Sequence, residues 1–152
     1  MHEPNEKMNQ YLDDLLTGDS FEMSILANAS ALIKQMTEGI NWVGFYILKQ
    51  DKLYLGPFQG KVACNVIEVG KGVCGSSAKT GKTIVVPDVN KFPGHIACDE
   101  ASRSEVVVPL FVNQKLYGVL DIDSAKLNRF LEKDVKLFEE AAIVVSKHLS
   151  KE

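Results

Sequence analysis

The chain is short of several things. It has three cysteines and one tryptophan in 152 residues, no block of basic residues, and no apolar run near the roughly 18 residues that cross a bilayer. Three thiols cannot all pair within one chain, which leaves buried thiols, metal ligands or redox-active groups. A formal charge of −3 without a basic stretch lacks the electrostatic footprint that nucleic acid demands. No nucleic-acid partner and no membrane partner are therefore expected. The opening residues MHEPNEKMNQ carry neither the basic head nor the apolar stretch of a signal peptide, so the expected location is cytoplasmic. What is present suits one core: 45% of the residues are hydrophobic and 24% charged, so the chain is not of disordered composition and 1–152 reads as a single domain.

Apolar spacing predicts a helix over 4–17, ending at Gly18, and a second one N-capped by Ser20 and closed by Gly39. The period then falls from about 3.6 to 2. Residues 41–49 and 52–58 read as a hairpin turning at Gln50 and Asp51, with further strands at 83–86, 104–112 and 115–123. A last helix is expected over 131–149. The order gives an α+β domain with an antiparallel sheet and the helices gathered on one side. Two segments fit no period: Gly70–Gly81 and the long loop Asp88–Arg103.

Several motifs fail on inspection. Gly70, Gly72 and Gly75 satisfy G-x-G-x-x-G, but a strand follows too soon for the crossover helix of a dinucleotide fold. Gly81-Lys82-Thr83 resembles the end of a phosphate-binding loop, yet Ser76 stands where its upstream glycine belongs. Zinc held by three thiols and His95 would lack the close ligand pairs of structural sites, because Cys64, Cys74 and Cys98 are spaced by 10 and 24 residues. No metal is implied.

The segments NWVGFYIL, GKGVCGSSAKTGKTIVVPDV and VVPLFVNQKLYGVLDIDS together resemble a GAF domain. The cysteines sharpen this. Cys64 in VACNVIEVGKGVCG, Cys74 in the same run and Cys98 in FPGHIACDEASRSEVVVP are similar to the pattern of free methionine-(R)-sulfoxide reductases. The resemblance spans essentially the whole chain. It implies a GAF fold, Cys98 as the group that attacks substrate, Cys64 as the usual disulfide partner and Cys74 in support. It implies thioredoxin as reductant, no cofactor, and free methionine (R)-sulfoxide as substrate. The first and last helices are candidates for packing against a twin subunit, giving a homodimer. The competing readings are a GAF-type module that binds a small ligand or senses redox state and, after it, a zinc-bound structural domain.

Sulfoxide reduction needs an attacking thiolate, a resolving thiol and an acid for the departing oxygen. The hairpin of 104–112 and 115–123 offers the acid. A two-residue turn at Asn113 and Gln114 would set Glu105 opposite Ile122. A three-residue turn, or one bulge, pairs Val112 with Leu116 and Glu105 with Asp123. The second register is preferred, because it gathers Val106, Val108, Leu110, Val112, Leu116, Leu120 and Ile122 on one apolar face. It then collects Glu105, Asp121 and Asp123 on the other. Carboxylates held this close need a cation among them or must keep a proton. A substrate ammonium supplies the first and a general acid uses the second. Trp42 and Tyr46 share a face of their strand. The resemblance favours the Trp42 ring against the substrate's methyl-sulfur end, while Tyr46 stays open between core packing and substrate contact. His95, three residues before Cys98, is open between helping to form a thiolate and a solvated loop position, with the second preferred.

Overall fold

The computed structural model describes residues 3–96 and 100–150. The elements run α1 (Met8–Leu16), α2 (Glu22–Met36), β1 (Trp42–Lys49), β2 (Lys52–Gln59), β3 (Val66–Glu68), α3 (Gly72–Thr80), β4 (Ile84–Val86), a 3-10 turn (Val89–Lys91), β5 (Ser104–Val112), β6 (Lys115–Ser124) and α4 (Glu132–Leu149). The strands form one antiparallel sheet in the order β3-β2-β1-β6-β5-β4.

Strand alternation divides the side chains between two layers. On one face Val43, Phe45, Val106, Val108, Leu110, Leu120 and Ile122 meet α1, α2 and α4, the N- and C-terminal helices expected on one side. On the other face Trp42, Tyr46, Val107 and Val119 pack with Val73, Cys74 and Ala78 of α3.

That last helix lies in a segment the sequence leaves without a period. GVCGSSAKT holds two glycines and two serines, all weak helix formers. It stays helical because Val73, Cys74, Ser77 and Ala78 are buried against the sheet. Gly81 ends it in the left-handed region at φ 68°, its N–H donating to Ser77 O. Gly75 lets the helix press on the end of β3: a Cβ there would lie 2.4 Å from Glu68 O.

The second helix starts differently from expectation. Its N-cap is Phe21, not Ser20, and the Asp19 carboxylate accepts from the Phe21 N–H at 3.0 Å and from the Ser24 hydroxyl. It ends at Met36 rather than running to Gly39.

The β5–β6 hairpin keeps one part of the expected register and corrects another. Glu105 pairs with Asp123, but Val112 pairs with Lys115 across the two-residue turn of Asn113 and Gln114. Both turn residues have positive φ, the twist that suits a tight hairpin. The surplus residue is taken up further along: Phe111 pairs with Leu116 and Leu110 with Gly118, which leaves Tyr117 as a bulge. In consequence Leu116 leaves the helix-covered face for the α3 side, and Tyr117 takes a place against the helical core.

Candidate active site

One row of paired residues crosses four strands: Val86 on β4, Glu105 on β5, Asp123 on β6 and Trp42 on β1. The neighbouring row carries Ile84, Val107, Asp121 and Gly44. Glu105, Asp121 and Asp123 thus project from one face, where α3 lays Cys74 over them. The three acids are 6%, 6% and 8% exposed, and Cys74 is 4% exposed. They line a cavity of ≈ 30 Å³ with Tyr46, Ile67, Lys71, Val73, His95, Ile96 and Ser102.

Burial dominates the electrostatics. Desolvation, followed by the Asp123 charge, pushes the Glu105 carboxyl up to about 8. Desolvation and the Glu105 charge hold Asp121 well above the usual carboxylate range. Loss of solvent and the three acids together push the Cys74 thiol up as well. The cluster therefore keeps protons at neutral pH. Asp121 Oδ1 is buried without a hydrogen-bond partner among the described residues. An orphaned buried oxygen of this kind is costly unless a ligand meets it.

Sequence reasoning missed His95 as a member of the site. It stands inside the cavity, Nε2 3.7 Å from Glu105 Oε1, and burial lowers its pKa. A lone histidine in an aperiodic loop gives no sign of which strand it will face. Lys71 was missed too: it lines the same cavity, largely exposed, and pairs with Glu68 at 2.9 Å.

The aromatic residues divide. Tyr46 lines the cavity, and its hydroxyl donates to Cys64 O at 2.8 Å, tying the Cys64 segment to the sheet. Trp42 is not among the residues lining the cavity. Its ring stacks between Tyr46 and Phe58, at 6.1 and 5.2 Å between centroids, and its Nε1–H donates to Lys61 O. It backs the wall beside Asp123. Of the cysteines, Cys64 is disulfide-bonded and Cys74 is a free buried thiol. Cys98 lies outside the described residues.

The sheet thus has helices on both faces and encloses, on the α3 side, a small acidic and thiol-bearing cavity. Comparison with known proteins is specific. The GAF domain family model matches residues 23–149. The chain is 48% identical over 127 residues to the free methionine-R-sulfoxide reductase of Escherichia coli, covering 84% of this chain and 77% of that protein. Its fold matches the solved structure of fRMsr of Staphylococcus aureus in the reduced form, with TM-score 0.94, 44% identity and 97% of both chains covered. It matches the free methionine-R-sulfoxide reductase of Neisseria meningitidis, solved in complex with its substrate, with TM-score 0.90, 41% identity and coverage of 93% and 86%. The chain belongs to the GAF family and, within it, to the free methionine-R-sulfoxide reductases.

Proposed function

We propose that this chain reduces free L-methionine (R)-S-oxide to L-methionine, with thioredoxin returning the enzyme to its thiol form. The observation that carries the reading is the buried trio Glu105, Asp121 and Asp123, which holds both protons and negative charge in one cavity. Relatives that share the family name support the choice of substrate.

The Cys98 thiolate attacks the sulfoxide sulfur. The oxygen takes a proton from the carboxyl cluster and passes to the Cys98 sulfur; the substrate's sulfur–oxygen bond and the transient sulfur–sulfur bond both break, so methionine leaves and Cys98 is left as a sulfenic acid. The Cys64 thiol then condenses with the sulfenic acid, releasing water and forming a disulfide. Cys64 fits this role better than Cys74, since Cys64 carries a disulfide while Cys74 is a buried thiol of raised pKa. Two thioredoxin thiols reduce that bond. Glu105, Asp121 and Asp123 hold the substrate ammonium, and the orphaned Asp121 Oδ1 finds its partner there. Lys71 is the cation that meets the substrate carboxylate. Tyr46 and the Trp42 ring behind it form the wall for the methyl-sulfur end.

A thiol cycle of this sort suits a reducing compartment, the cytoplasm. Among the described residues no helix is long and apolar enough to cross a membrane. The homodimer expected from the flanking helices would use Tyr11 and Leu15 on the outer side of α1, 47% and 44% exposed. Sedimentation velocity of the wild type and of a Tyr11→Glu, Leu15→Glu variant tests it.

The deciding experiment follows NADPH loss with thioredoxin, its reductase and each purified sulfoxide epimer. Continuous consumption with the R epimer alone is expected. One stoichiometric oxidation and then nothing would instead indicate a sensor.

A further inference from the structure

The cavity contains more chemistry than an ammonium group uses. Cys74, Glu105 and Asp121 each present a ligand atom, and these atoms all lie within 4.8 Å of one another. His95 Nε2 stands 3.7 Å from Glu105 Oε1, beside the three atoms but outside the set that lies within 4.8 Å. A tetrahedral zinc ion bound at about 2.0–2.3 Å needs its ligand atoms roughly 3.3–3.5 Å apart. The three atoms would have to draw together by no more than about 1.5 Å to meet it, and His95 would have to turn toward them. All three residues of the core trio are at least nine-tenths buried, and Asp121 Oδ1 has no hydrogen-bond partner among the described residues.

We propose that Cys74, Glu105 and Asp121, completed by His95, form a binding site for a thiophilic divalent cation, Zn²⁺ in the first instance. One thiolate, one imidazole and two carboxylates suit a borderline-soft ion. Magnesium and calcium prefer all-oxygen shells and have no use for the sulfur. The bound ion takes the place of protons: the thiol and whichever carboxyls are protonated release theirs to solvent as they coordinate. Nothing is oxidised or reduced. Two positive charges then stand in the acidic cluster, and they offset the burial and, after it, the mutual repulsion that otherwise keep the groups protonated.

The ion and the substrate ammonium need the same oxygens. On the reading of the cavity given above, Zn²⁺ therefore competes with methionine sulfoxide, and Cys74 acts as the ligand that selects the inhibitory metal. This assigns the free thiol a use that the reduction step leaves open. It also distinguishes an inhibitory site from a structural one, since the fold holds these side chains in place by sheet pairing and by α3 packing.

The test is calorimetric titration of the reduced, chelator-treated full chain with ZnCl₂, in two buffers of different ionisation enthalpy. One equivalent per chain with proton release is expected, and affinity rising with pH. Cys74→Ser should weaken binding by more than about tenfold. Cys64→Ser should leave it unchanged. His95→Ala, a change outside any helix or strand, guards against misfolding of the buried variant and should weaken binding also. A second readout is the thiolate-to-metal absorption band with Cd²⁺, expected in the Cys64→Ser, Cys98→Ser double variant and lost on adding Cys74→Ser. Binding that survives Cys74→Ser, or Mg²⁺ binding as tightly as Zn²⁺, would overturn the inference. Zn²⁺ that binds as described but is not displaced by methionine sulfoxide would leave the metal site standing and count against the substrate assignment. Turnover of the sulfoxide with no Zn²⁺ binding would do the reverse.

Discussion

The carboxyl at position 105 shows how burial changes the chemistry a side chain can do. In water a glutamate is ionised at neutral pH and has no proton to give. Here desolvation and the Asp123 charge bring Glu105 up to about 8, so it keeps a transferable proton. Glu105→Gln should therefore lower kcat by about 10²-fold or more while leaving the folded protein intact, as read by turnover beside circular dichroism. Cys98→Ser should abolish turnover with the R epimer. Cys64→Ser should leave a single rapid turnover and impair thioredoxin-dependent cycling, which a quench experiment counting methionine per chain resolves. Much of this residue set is legible in the sequence, because alternation on two strands suffices to put three acids on one face. His95 is not legible, since a loop has no period from which to read a direction.

At the scale of elements, the regular helices and long strands follow from their apolar spacing. The third helix does not. GVCGSSAKT has neither the length nor the propensity to form alone, and tertiary burial decides its state. Its position matters because it carries Cys74 over the acids. Gly75→Ala should force α3 away from Glu68 O and destabilise the protein by about 1–3 kcal/mol, with KM raised because the cavity roof moves. Chemical denaturation and steady-state kinetics on one preparation check both effects. The β5–β6 register illustrates a different limit. The apolar face of the strands implies the Glu105–Asp123 pairing, but it does not say where the odd residue goes. Positive φ at Asn113 and Gln114 favours the tight turn, so the bulge moves to Tyr117.

For the whole molecule, the site carries a stability cost that depends on pH. Glu105 has a folded pKa of about 8 against an ordinary value of 4.5, so the native state binds more protons than the unfolded chain between those values. Stability from this group is therefore undiminished below pH 4.5, falls as pH rises through the interval, and levels off above 8. Denaturant midpoints measured from pH 5 to 9 should decline in the wild type. Glu105→Gln should flatten that decline, a gain on the order of a few kcal/mol at the alkaline end. The cost is borne by two cores on one sheet: the helix-covered layer of Phe45, Leu120 and Phe138 holds the strands, and the thinner α3 layer is left to serve the cavity.

The unpaired Tyr117 gives the hairpin one residue of slack. Excising that residue alone would let the ladder close up without a kink, and Glu105 would still meet Asp123. Losing one anywhere from Gly118 to Ile122 would turn the strand over beyond the gap, sending acidic groups toward the helical layer and aliphatic ones into the cavity. Tolerance of shortening on this strand should therefore end abruptly at a single peptide unit.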